Sequence, residues 1–88
     1  MLASGEFSLP KLKPPARLHV VLAPHIAGER LLSYENALAL QATVLMRTDN
    51  AGEYVLEIHE HKRLTQLQSS LPHWERSGAC TAWWVEKE

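Results

Sequence analysis

On either side of Asn50 the chain alternates apolar and polar residues, and this near-symmetry limits how its middle can fold. Upstream, ALALQATVLMR (residues 37–47) places Leu38, Leu40, Ala42, Val44 and Met46 at every second position, with Gln41, Thr43 and Arg47 between them. Downstream of the turn TDNAG, Tyr54, Leu56 and Ile58 alternate in the same way. Successive side chains of a strand leave opposite faces, so two such runs suit a half-buried hairpin. Folding about Asn50 pairs Met46 with Tyr54, Val44 with Leu56 and Ala42 with Ile58 on an apolar face. The other face pairs Leu45 with Val55, Thr43 with Glu57 and Gln41 with His59. Asp49, Asn50 and Gly52 tolerate the positive φ that a tight loop demands. A competing helical stripe runs through Leu31, Tyr34, Leu38 and Leu45, in residues that favour helix. The shared register of the two runs favours a 37–47/53–61 hairpin.

The rest of the chain is arranged around that hairpin. RLHVVLA (17–23), closed by Pro24, is β-branched and nearly all apolar, the pattern of an interior strand. It carries no charge beyond Arg17 to guard an edge, so it is either central or paired by a partner. HIAGERLLSY, with its Gly28 breaker, reads as a connection containing a short ordered piece. Leu64, Leu67 and Leu71 recur at helical spacing and predict an amphipathic helix over 62–71. PHWERSG predicts a second helical turn, with Pro72 at its start and Gly78 past its end. ACTAWWVE closes the chain as a strand, with Glu86, Lys87 and Glu88 discouraging unintended pairing. The expected fold class is α+β: a small antiparallel sheet of about four strands with one helix, from the C-terminal half, packed on one face. Residues 1–16, with Pro10, Pro14 and Pro15, read as a flexible arm, and residues 17–88 as a single domain.

Size and charge narrow the functional classes. A chain of 88 residues with 45% apolar and 22% charged residues has room for one modest core. No apolar run reaches the roughly 18 residues of a membrane span, and the N-terminus lacks the apolar stretch of a secretory signal. Cys80 is the single cysteine, which rules out an internal disulfide. A cytoplasmic location is expected. The net charge of −1 is unevenly spread, with Lys11, Lys13 and Arg17 in the N-terminal segment and two arginines against six acids over 18–61. Nucleic-acid affinity comes mostly from phosphate neutralisation, so this acidic middle disfavours it.

The stretch EYVLEIHEH holds Glu57, His59 and His61 at alternate positions, as one strand face would. Over a straight strand, Glu57 and His61 lie about 13 Å apart, too far to share an ion whose ligand atoms must sit about 2.0–2.3 Å from it. His59 and His61 alone remain as weak metal candidates, and solvated histidines are the simpler reading. No serine elbow and no glycine-rich phosphate loop is present, and Cys80 sits in an apolar strand as a small hydrophobe. No cofactor is expected.

The tryptophans say more. Trp83 and Trp84 are strand neighbours and must leave opposite faces. Strict alternation groups Cys80, Ala82 and Trp84 on one face, and Thr81, Trp83 and Val85 on the other. Trp84, with small neighbours, is assigned to the core; Trp83 is assigned to the exposed face as an interface anchor. The expected site is therefore Trp83, Thr81 and Val85 with His59 and Gln41. The expected function is a non-enzymatic, regulatory or homodimerising module that binds a protein partner or a second copy. The alternative is a single-strand nucleic-acid binder stacking bases on Trp83, with Lys11, Lys13, Arg17, Lys62 and Arg63 along the backbone.

Overall fold

The computed structural model describes residues 15–86. Most of the expected arm, residues 1–14, and the terminal charges Lys87 and Glu88 lie outside the described residues. Six elements follow in order: β1 (Ala16–Leu22), α1 (Gly28–Gln41), β2 (Val44–Arg47), β3 (Glu53–Ile58), α2 (His61–Ser77) and β4 (Cys80–Val85). The strands form one antiparallel sheet in the order β2-β3-β1-β4. This is an α+β fold with the β-α-β-β-α-β chain order of the ferredoxin-like, split βαβ motif.

β1 is central, hydrogen-bonded to β3 on one side and β4 on the other. Its Ala16, Leu18, Val20 and Leu22 are buried, while Arg17, His19 and Val21 point to the opposite face. Both helices cover the first face. Leu38 of α1 and Leu64, Leu67 and Leu71 of α2 meet Leu18, Val20, Leu56 and Ile58 in a single core. Among the described residues, no helix lies on the second sheet face.

Two helices, rather than one, cover the sheet, and α1 takes residues assigned above to a connection and to a strand. In a helix, positions two apart lie about 200° apart, so the alternation of Leu38 and Leu40 carries no meaning. Leu38 is fully buried, whereas Leu40 is 68% exposed. The helical spacing of Leu31, Tyr34 and Leu38 provides the stripe that docks. β2 is left with four residues, and the hairpin is Val44–Arg47 against Glu53–Ile58.

Its register also differs by one. Leu45 pairs with Leu56, Met46 with Val55 and Arg47 with Tyr54. The cause is the loop, which is centred between Asn50 and Ala51 rather than on Asn50. Thr48 N–H donates to the Glu53 carbonyl, and Thr48 Oγ1 accepts from Asn50 N–H. A one-residue slip exchanges the faces of a strand. Leu45 therefore packs on the core, and Val44 and Met46 stand 40% and 43% exposed on the open face.

β3 ends at Ile58, and His61 already opens α2. Glu57, His59 and His61 thus do not share a strand face. α2 runs unbroken to Ser77 with Pro72 inside it. Proline supplies no N–H there, a defect worth about 3 kcal/mol in a helix interior. The stripe Leu64, Leu67, Leu71 and Trp74 continues straight across it into the core, and that burial holds the helix together. The helix stops at Gly78 (φ 84), where Ala79 N–H donates to the Trp74 carbonyl.

The last correction concerns β4. Val21 pairs with Ala82 but Leu22 with Cys80, so Thr81 is an extra residue in a bulge. The bulge cancels one step of alternation. Cys80, Trp83 and Val85 join the core side, and Ala82 and Trp84 face out. The assignment of the two tryptophans above is thereby reversed.

Two glycines test how tightly this frame is held. Gly52 (φ +79) and Gly78 (φ +84) share a left-handed backbone. A Cβ at Gly78 meets nothing within 4 Å, but at Gly52 it would lie 2.8 Å from the Leu22 carbonyl oxygen of central β1. Gly78→Ala should cost about 1–2 kcal/mol, the conformational penalty alone. Gly52→Ala should cost clearly more in urea unfolding, because the opposing atom is backbone and cannot turn aside; equal losses would contradict this.

Candidate functional site

The register fixes the open sheet face as cross-strand rows. One row runs Met46, Val55, His19 and Trp84 across β2, β3, β1 and β4. On one side of it lie Val44, Glu57 and Arg17, with Glu86 completing the row through its N–H to the Arg17 carbonyl. On the other side lie Glu53, Val21 and Ala82. The face is thus an apolar stripe interrupted by a histidine and flanked by charges of both signs. Val55 is buried at its centre.

His19 organises the face. Its Nδ1 lies 2.9 Å from Glu53 Oε2, and its Nε2 lies 2.9 Å from Glu86 Oε1. Carboxylates only accept, so satisfying both bonds requires both ring nitrogens to donate, which is the imidazolium form. The ring stacks on Trp84 with centroids 4.9 Å apart and planes 7° apart, within the range of cation–π attraction. Glu53 also accepts from Asn50 Nδ2 at 2.8 Å, and Glu86 from Arg17 Nη1 at 3.3 Å. The side chains of His19 and Glu53 are only 16% and 10% exposed, while that of Glu86 is 44% exposed. Burial works against the His19 charge, but the hydrogen bonds to Glu86 and Glu53 outweigh it and raise the pKa above its ordinary 6.5. The His19 hydrogen bond is in turn the main cause that lowers both Glu53 and Glu86.

The residues expected to form a site are dispersed. Trp83 and Val85 are half-buried against the core. Thr81 is exposed in the bulge, its Oγ1 donating to the Val21 carbonyl. Gln41 ends α1 and donates to Gln66 of α2 at 3.1 Å, on the helical layer. His59 follows β3 and lies 3.1 Å from Glu57. The exposed tryptophan is Trp84. Of the basic residues weighed for nucleic acid, Lys11 and Lys13 lie outside the described residues. Lys62 and Arg63 belong to α2, where Arg63 donates to Glu60 and to the Leu40 carbonyl. Of those among the described residues, Arg17 alone is on the open face. His19 carried one signal in the sequence, a lone titratable group in an apolar strand. Its carboxylate partners lie 34 and 67 residues away, and only the register could identify them.

Two other features are structural. Tyr54 is buried beneath α1 and donates its hydroxyl to Glu35, which also accepts from Arg47. These bonds, Tyr54 first, lower the Glu35 pKa and tie α1 to the hairpin. A recess of about 450 Å³ opens beside the hairpin loop, lined by Leu22, Ile26, Leu31, Asn50 and Gly52 among others. Its polar wall is engaged internally, Thr48 with Asn50 and Asn50 with Glu53. Among the described residues no group of three or more His, Cys, Asp or Glu side chains is placed to hold a metal ion. The two nitrogens of His19 already face separate carboxylates. No helix among the described residues is long and apolar enough to cross a membrane.

Comparison with known proteins finds no match among protein-family models, curated proteins or solved structures.

The pKa directions define a pH window for the His19–Glu53–Glu86 cluster. The raised His19 pKa gives a stabilisation that is complete below 6.5 and lost as pH rises through the folded value. The lowered Glu53 and Glu86 give theirs above 4.5, lost as pH falls through their folded values. The stability difference between the native chain and His19→Gln should therefore be largest between 4.5 and 6.5 and decline on either side. Urea unfolding at a series of pH values reads this directly; a difference that grows above 6.5 would contradict it.

Proposed function

We propose that this chain is a non-enzymatic interaction module that pairs with a second copy of itself through the open sheet face. The observation that carries this reading is the Met46–Val55–His19–Trp84 row. It places two large apolar side chains, each 43% exposed, at the ends of an apolar stripe that neither α1 nor α2 covers. Exposed aromatic and Met side chains flanked by polar residues are enriched in protein interfaces. The mixed charges favour a copy of the same face. A twofold contact brings Arg17 and His19 of one face toward Glu53, Glu57 and Glu86 of the other, and isologous dimers are the commonest oligomers.

A second reading draws on the same indole. A four-stranded antiparallel sheet with helices behind it and an aromatic in front is also how single-stranded RNA is stacked. Three carboxylates on the same face, Glu53, Glu57 and Glu86, oppose it, because phosphates need cations.

Sedimentation equilibrium separates these readings. The chain should have twice its 9.9 kDa mass. Met46→Glu and Trp84→Glu, both at solvent-exposed positions, should each weaken the dimer by about thirtyfold or more, as loss of an interface hot spot does. Their circular dichroism should stay native. A monomer at every concentration would overturn the homodimer. Oligonucleotide binding that weakens with salt in that monomer would favour the second reading.

A further inference from the structure

We propose that His19 is a proton-operated clasp that controls how Trp84 is presented on the open face. The groups facing His19 are Glu53 from β3, Glu86 beyond the end of β4, and Arg17 on β1 itself through Glu86; Met46, across Val55 on β2, is uncharged. Protonated, the ring holds one carboxylate at each nitrogen and lies flat on the indole. A neutral imidazole has a single N–H and can donate to only one of them. The two partners are not equivalent. Glu53 is 10% exposed and anchored by Asn50, whereas Glu86 is 44% exposed and lies beyond the last strand residue. Deprotonation therefore releases the Glu86 carboxylate, which keeps its 3.3 Å bond from Arg17 Nη1, while the Glu86 N–H stays on the Arg17 carbonyl. The cation–π contact with Trp84 is lost in the same step. The end of β4 loosens, and the indole becomes free to leave the imidazole.

The clasp belongs to a single chain and does not require the proposed dimer. Only its consequence for dimerisation, a face one positive charge poorer at higher pH, rests on that reading.

Histidine nitrogen NMR across a pH titration tests this in the full chain. Both His19 nitrogens should be protonated in the acid form, with a midpoint above the ordinary 6.5. Glu53→Gln and Glu86→Gln should each lower that midpoint. The Trp84 indole N–H resonance should shift with the same midpoint as His19 and stop shifting in His19→Gln. The midpoint should lie above 6.5 also at dilutions where the chain is monomeric, which reads the clasp apart from the proposed dimer. A midpoint at or below 6.5 would overturn the clasp. So would a midpoint indifferent to both glutamate variants, and so would a Trp84 resonance that does not follow His19.

Discussion

Strand parity is the constraint on which the rest of this molecule depends. A strand has two faces, and each residue belongs to one of them unless the pairing slips. Two single-residue irregularities decide the surface of this protein. The loop centred between Asn50 and Ala51 turns Leu45 inward and Met46 outward. The bulge at Thr81 turns Trp83 inward and Trp84 outward. Without either one, both the open face and the side chains packed against the core would differ.

The α+β class, the antiparallel sheet, β1 and the Leu64–Leu67–Leu71 face of α2 were all legible in the residues. Each rests on a pattern repeated several times within one element. The failures share another cause. Residues 37–41 satisfied strand alternation and helical spacing at once, and docking of Leu38 beneath the sheet chose the helix. Pro72 looked like a start signal because local propensity cannot register the apolar stripe that carries α2 past it. The register and the bulge are single-residue events, and no periodicity announces them. The His19 cluster joins residues from three distant segments, so its partners become visible only once the sheet is assembled.

The two faces are stabilised in different ways. Beneath the helices, leucines and valines from all six elements exclude water, and Glu35 accepts the hydroxyl hydrogen bond of buried Tyr54. On the open face, polar bonds connect the strands: Glu53 to His19, His19 to Glu86, and Glu86 to Arg17. Exposed ion pairs contribute little individually. This one is shielded where it matters, since the imidazole stacks on Trp84 and is 16% exposed. A surface held by charge instead of packing can respond to protons, while the core beneath it stays fixed.

The most direct test is to map nuclear Overhauser contacts from the two neighbouring indoles. Trp84 should show contacts to the His19 ring, and Trp83 should show contacts to methyl groups of the leucine core. The opposite result, with Trp84 among the core methyls and Trp83 beside His19, would mean that the bulge is absent and that the open face described above does not exist.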